Sequence, residues 1–152
     1  MGGLDAEVVR LARAWIGTPY RHGASTWGAG VDCLGLLRGV WRALYGHEPE
    51  AIPAYTPDWD ETTRDERLWQ AARRHLDEVS PQTMRPGDVL LMRMRRSGPA
   101  KHLGILASSP QGRATLIHAY SGVGVVESPL GEAWRRRIVA AFRFRGGATW
   151  RR

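Results

Sequence analysis

Gly30-Val31-Asp32-Cys33-Leu34-Gly35-Leu36-Leu37 carries the chain's only cysteine and joins a glycine-containing loop to an apolar-periodic run. Asp32 suits a helix N-cap, because its carboxylate can accept from the free backbone N–H groups of the first turn. Cys33 then opens the helix. There the helix dipole and unpaired amides are expected to lower the thiol's pKa and favour the reactive thiolate. The same amides can receive the oxyanion that forms when a thiolate attacks a carbonyl. A cysteine of arbitrary placement is more often a small buried hydrophobe. A functional reading therefore needs a partner histidine.

Outward from this stretch, Cys33, Leu36, Leu37, Val40, Trp41 and Leu44 form one apolar helical face that stops at Gly46. Upstream, Leu4, Val8, Leu11 and Trp15 recur at helical spacing, and Gly17 ends that helix. Tyr20 to Gly30 reads as a loop. Downstream, His47 to Trp59 contains three prolines and reads as an extended connector ordered by Tyr55 and Trp59. Asp60 or Thr62 is expected to cap a further helix with Leu68, Trp69, Ala72 and Leu76 as its buried stripe and His75 on its solvated surface. After Ser80-Pro81 the texture changes. Arg85-Pro86-Gly87-Asp88 is a turn signal. Short apolar or alternating runs follow at 89–92, 102–107, 114–120, 123–128 and 137–145, and Arg93 to Lys101 is a basic loop. Helices first and consecutive strands after predict an α+β fold, with the Cys33 helix covering an antiparallel sheet of about five strands. The chain is expected to be one domain over 1–152, with a helical insert at about 47–80 and a short basic tail at 146–152.

The chain has 152 residues, 43% of them hydrophobic and 24% charged, which excludes disorder. Its formal net charge of +7 comes almost wholly from arginine and favours anionic partners. The arginines are scattered and match no recognition motif, so specific nucleic-acid binding is not expected. No stretch approaches a membrane span. The N-terminal residues lack the basic and apolar regions of a secretory signal, so synthesis in the cytoplasm is expected. One cysteine excludes a disulfide framework. No short ligand spacing suggests a metal, and no cofactor is expected.

Five histidines compete as partners for Cys33. His22 and His47 lie in loops and His75 on a helix. His102 opens one strand and His118 lies near the end of the next. If those strands pair as a hairpin, the two become neighbours at one end of the sheet. That suits a relay from thiol to imidazole to a third polar group.

Asp32-Cys33-Leu34-Gly35, Arg85-Pro86-Gly87-Asp88-Val89, Lys101-His102-Leu103-Gly104-Ile105-Leu106 and Ile117-His118-Ala119 occur in the order seen in the NlpC/P60 cysteine peptidases, which the chain resembles from about Leu4 to Phe144. Gly17-Thr18-Pro19-Tyr20-Arg21-His22-Gly23 is similar to that family's upstream pattern. The resemblance implies a papain-like α+β fold and cleavage of bacterial cell-wall stem peptides, often beside D-glutamate. It implies that Cys33 is the nucleophile, His102 the general base and His118 its orienting residue. It also implies that the Tyr20 hydroxyl helps hold the oxyanion and that Asp32 binds the substrate's free amine. Leu34 stands where the family usually has a serine that helps bind that amine, which bears on specificity rather than chemistry. The Asp-Cys-Leu-Gly-Leu form and the insert resemble the branch carried in tails of phages and gene transfer agents. That implies a peptidase made in the bacterial cytoplasm, held among other tail proteins, and acting on the recipient's wall. The alternative is a structural tail component with an unused site.

Overall fold

The computed structural model describes residues 3–50 and 66–146. Helix α1 spans Gly3–Arg13. A two-stranded hairpin, β1 (Ser25–Thr26) and β2 (Gly30–Val31), leads into α2 (Cys33–Tyr45). Helix α3 (Arg67–His75), β3 (Asp77–Val79), β4 (Val89–Met92), β5 (His102–Ser108), β6 (Ala114–Tyr120) and β7 (Gly124–Pro129) follow, then a four-residue helix α4 (Glu132–Arg135) and β8 (Ile138–Arg143). The main sheet is antiparallel in the order β3-β8-β4-β5-β6-β7.

Helix α2 packs against α1, the β1–β2 hairpin, β5 and β6. Asp32 caps it by accepting from the Gly35 N–H at 2.7 Å, and Gly46 ends it at φ 86°, with its N–H on the Arg42 carbonyl. Leu36, Val40 and Leu44 are buried in the core with Val8 and Ala12 of α1 and with Leu103, Ile105, Ile117 and Ala119 of the sheet. Glycine inside this helix has a packing reason. A Cβ on Gly39 would lie 2.1 Å from the Trp15 ring, and one on Gly35 would lie 2.0 Å from the Ala24 carbonyl. Removing the side chain lets α1 and the preceding loop close on α2 despite the intrinsic helix penalty of glycine.

A second apolar cluster lies across the sheet, where Leu90, Met92, Leu106, Leu116, Leu130 and Ala141 are joined by Trp134 and Ile138. The Arg85–Asp88 turn is structural. Asp88 is fully buried, its carboxylate accepts the Arg85 N–H, and Arg143 of β8 holds both of its oxygens at 2.9 Å. Such a bidentate pair satisfies a charge that would otherwise be costly to bury.

The expected α+β architecture is present, with a short helix α4 added between β7 and β8 and three further differences. The first helix stops at Arg13, a turn before Gly17, whose N–H instead bonds the Val125 carbonyl. Tyr20 to Gly30 is not a plain loop, because it contains the β1–β2 hairpin and a bridge from Tyr20 to Val31. The sheet gains β3, which pairs with β8 as an edge strand. The described part of the third helix starts at Arg67. The expected caps Asp60 and Thr62, and the anchors Tyr55 and Trp59, lie outside the described residues. His75 is half-buried rather than solvated, because its Nε2 meets Glu50 and its ring edge meets Trp41.

Candidate active site

The site forms where two strands of the sheet part. The β5–β6 ladder runs from Ser108↔Ala114 to Ile105↔Ile117. Strand β5 continues to His102 paired with β4, and β6 continues past His118 paired with β7. In antiparallel register the Leu103 N–H points away from β4, toward the gap, while Lys101, just before β5, gives its N–H to the Met92 carbonyl of β4. The start of α2 fills it. The Cys33 thiol donates to the Lys101 carbonyl at 3.5 Å, and the Leu103 N–H donates to the sulfur. Cys33 is therefore held by the main chain on both sides of His102.

His102 and His118 meet across the same gap. His102 Nε2 and His118 Nδ1 are 2.9 Å apart, and His118 Nε2 lies 3.4 Å from the Ser128 hydroxyl on β7. If His118 donates to Ser128, its Nδ1 accepts from His102 Nε2–H. The lone pair on His102 Nδ1 is then left to take a proton. Gly104 makes room for this pair, since a Cβ there would meet Leu116 at 2.4 Å and His118 at 3.3 Å. The loop feeding β5 is fixed by Glu66, whose carboxylate accepts the Ala100 N–H at 2.8 Å and pairs with Arg93 at 2.9 Å.

The electrostatics correct one expectation. The helix-start amides of Cys33 and Leu34, with the Leu103 N–H, do lower the thiol's pKa. Burial, and then the Asp32 charge, outweigh them and push the thiol up to about 11. Burial depresses His102 to about 3, with a smaller contribution from His118, and depresses His118 to about 4. At neutral pH the resting site is thus a neutral thiol beside two neutral imidazoles rather than a preformed ion pair.

Tyr20 bridges to Val31 two residues before Cys33. Burial, then the Cys33 and Asp32 charges, push its phenol up to about 12, so it remains a donor. Asp32 is 3% exposed, and its oxygens accept from the Gly35 and Gly23 N–H groups at 2.7 Å each. These bonds make Asp32 the cap of α2 and a clamp on the loop before it. Leu34 is buried in the core. His22 lies 3.9 Å from Asp32, His47 bonds the Tyr45 carbonyl, and His75 pairs with Glu50, so these three stand apart from the His102–His118 pair.

Two contributors escape a sequence reading. The Leu103 N–H acts through the backbone and leaves no side-chain signal. Trp134, on a helix too short to have a period, stacks on His102 at 5.7 Å between centroids and meets His118 edge-on at 4.8 Å.

The sequence model of the NlpC/P60 family matches residues 17–143, a span that contains every residue of this site. The chain belongs to the NlpC/P60 family. It is 30% identical over 141 residues to the gamma-DL-glutamyl hydrolase of Bacillus subtilis, a match covering 92% of this chain but only 29% of that relative. Among solved structures, an NlpC/P60 family protein from Bacillus cereus superposes with a TM-score of 0.63 at 16% identity, covering 95% of this chain and 41% of the other. NlpC1 from Trichomonas vaginalis gives 0.60 at 18% identity, covering 95% of this chain and 45% of the other. These likenesses establish the fold: an NlpC/P60 arrangement of helices against an antiparallel sheet.

Proposed function

We propose that this NlpC/P60 chain is a cysteine peptidase that cleaves peptidoglycan stem peptides, with Cys33 as nucleophile, His102 as general base and His118 as the group that orients it. The observation that carries the proposal is the parted strand pair, in which the Cys33 sulfur sits on the main chain flanking His102 while His102 Nε2 is tied to His118. Support for the substrate class comes from the family and from the relative named gamma-DL-glutamyl hydrolase. A fold neighbour, Ly7917, was solved with the hydrolysing product of MDP.

Because the resting pair is neutral, the proton leaves sulfur as sulfur attacks. His102 Nδ1 accepts it, and the forming imidazolium is oriented through Nε2 by His118. The carbonyl carbon bonds to Sγ, and its oxygen becomes the oxyanion. The Cys33 N–H and the Tyr20 hydroxyl stabilise that charge. His102 returns the proton to the leaving amine, giving a thioester on Cys33. Water, deprotonated by His102, then releases the acid and restores the thiol. Leu34, buried where relatives carry serine, removes one polar contact for a substrate amine and bears on which stem is chosen.

The finer assignment, a tail-borne peptidase made in the bacterial cytoplasm and acting on a recipient's wall among other tail proteins, rests on the Asp32-Cys33-Leu34-Gly35-Leu36 form and the 47–80 insert. One observation favours the rival reading of a structural component with an unused site: the thiol's raised pKa. Mass spectrometry of purified peptidoglycan fragments after incubation separates the two. Wild type is expected to release new stem-peptide fragments and Cys33→Ala none. Fragments left intact by the wild type, or cut equally by both, would overturn the assignment.

A further inference from the structure

The geometry points to Trp134 as a positioning residue of the catalytic pair: its indole clamps both imidazoles in the orientation that keeps the His102–His118 hydrogen bond and closes that side of the pair to water. This rests on the function proposed above.

One ring touches both histidines in different ways. It lies nearly parallel to His102, 25° between planes at 5.7 Å, and perpendicular to His118, 87° at 4.8 Å. The two imidazoles are themselves at 76° and 5.1 Å. A single planar group therefore fixes the angle between them. Either imidazole would have to give up its packing on the indole to rotate out of the hydrogen bond. Tyr120 closes the set, with its ring 5.6 Å from His118 and 5.8 Å from Trp134.

Trp134 is itself anchored. Its indole packs on the apolar cluster of Leu90, Met92, Leu116 and Leu130. The Arg137 guanidinium lies 5.7 Å over its ring, a cation–π contact. The residue sits on α4, between β7 and β8, and so belongs to neither strand that carries a histidine.

Other polar groups face the pair from several elements. On the α2 side stand the Cys33 thiol, with Asp32 behind it and the Tyr20 phenol beside it. From β7 comes the Ser128 hydroxyl, and from β6 the Tyr120 phenol. On the α4 side the cation is Arg137, placed beyond the indole. Lys101 directly precedes His102 in the chain. Burial is the leading cause of both depressed imidazole pKa values, and the indole is part of what buries them.

The test follows the histidine side-chain resonances by NMR against pH in the full chain carrying Cys33→Ala, alone and with Trp134→Phe or Trp134→Leu. Thermal unfolding is measured in parallel, and kcat/KM against pH in the matching Cys33 enzymes. In the parent, His102 and His118 should stay neutral down to about pH 5. Trp134→Phe should raise their midpoints slightly, and Trp134→Leu by roughly one pH unit, because water reaches the rings. The acid limb of kcat/KM should move with them. If Trp134→Leu does not fold, the smaller rise in Trp134→Phe decides. Superimposable titrations in parent and variants would overturn the proposal, whatever the change in unfolding temperature. The NMR readout needs no turnover, so a failure of the peptidase assignment would be seen separately in the fragment assay.

Discussion

Lowering the pH from 7 to 5 should destabilise this protein by an amount that the histidine pair sets. His118 is 1% exposed and His102 9%, with folded pKa values of about 4 and about 3 against an ordinary 6.5. Both values are depressed, so between those limits the unfolded chain binds protons that the folded chain refuses. Stability from this source is complete above pH 6.5 and is lost as pH falls toward the folded values. At pH 5 each imidazole is protonated in the unfolded chain and neutral in the fold, a loss of about 2 kcal/mol per group and about 4 kcal/mol for the two. That is a large part of the 5–15 kcal/mol typical of a domain, roughly stated. Glu48, Glu50 and Glu127 have pKa values lowered from 4.5 by their cationic partners, so their losses come mainly below the window. Urea unfolding at pH 7 and pH 5 measures the change. His118→Asn removes one titrating group while keeping a polar partner for His102, so the loss should shrink by about half. An equal loss in both proteins, or a fold as stable at pH 5 as at pH 7, would refute a buried neutral pair.

Two further outcomes follow from single contacts. Tyr20→Phe deletes one oxyanion donor and should lower kcat by about 100-fold with little change in KM, a loss of about 3 kcal/mol of transition-state stabilisation, read by steady-state kinetics on a soluble muropeptide. Gly39→Ala should gain about 1 kcal/mol of helix propensity but place a methyl 2.1 Å from the Trp15 ring. Overpacking of about 1–3 kcal/mol should win, lowering the unfolding midpoint.

The sequence made the site legible because its parts are periodic or punctuated. The Asp32 cap, the apolar face from Leu36 to Leu44 and the Gly46 stop define α2 before any coordinates, and strand alternation puts His102 and His118 at one end of a hairpin. The main-chain features were not legible. That β5 and β6 part at Ile105↔Ile117, so that Leu103 and Lys101 receive the sulfur, is a matter of register that no residue type announces. The raised thiol pKa is hidden from the sequence for a related reason: helix-start amides are visible there, whereas the depth to which packing sinks the sulfur is not. Edge strand β3, three residues long with two exposed, has too little pattern to be read. The Asp32 cap is readable from its position before an apolar helical face, whereas the Gly23 N–H on its second oxygen is visible only in the fold.

The central claim is that Cys33 forms a covalent acyl intermediate beside His102, and acid-quench mass spectrometry of the enzyme during muropeptide turnover tests it directly. The account predicts an added stem-peptide fragment on the peptide spanning Cys33, labile to hydroxylamine as a thioester is, and absent in His102→Ala. Product forming while Cys33 stays unmodified, with Cys33→Ala turning over at the wild-type rate, would contradict it.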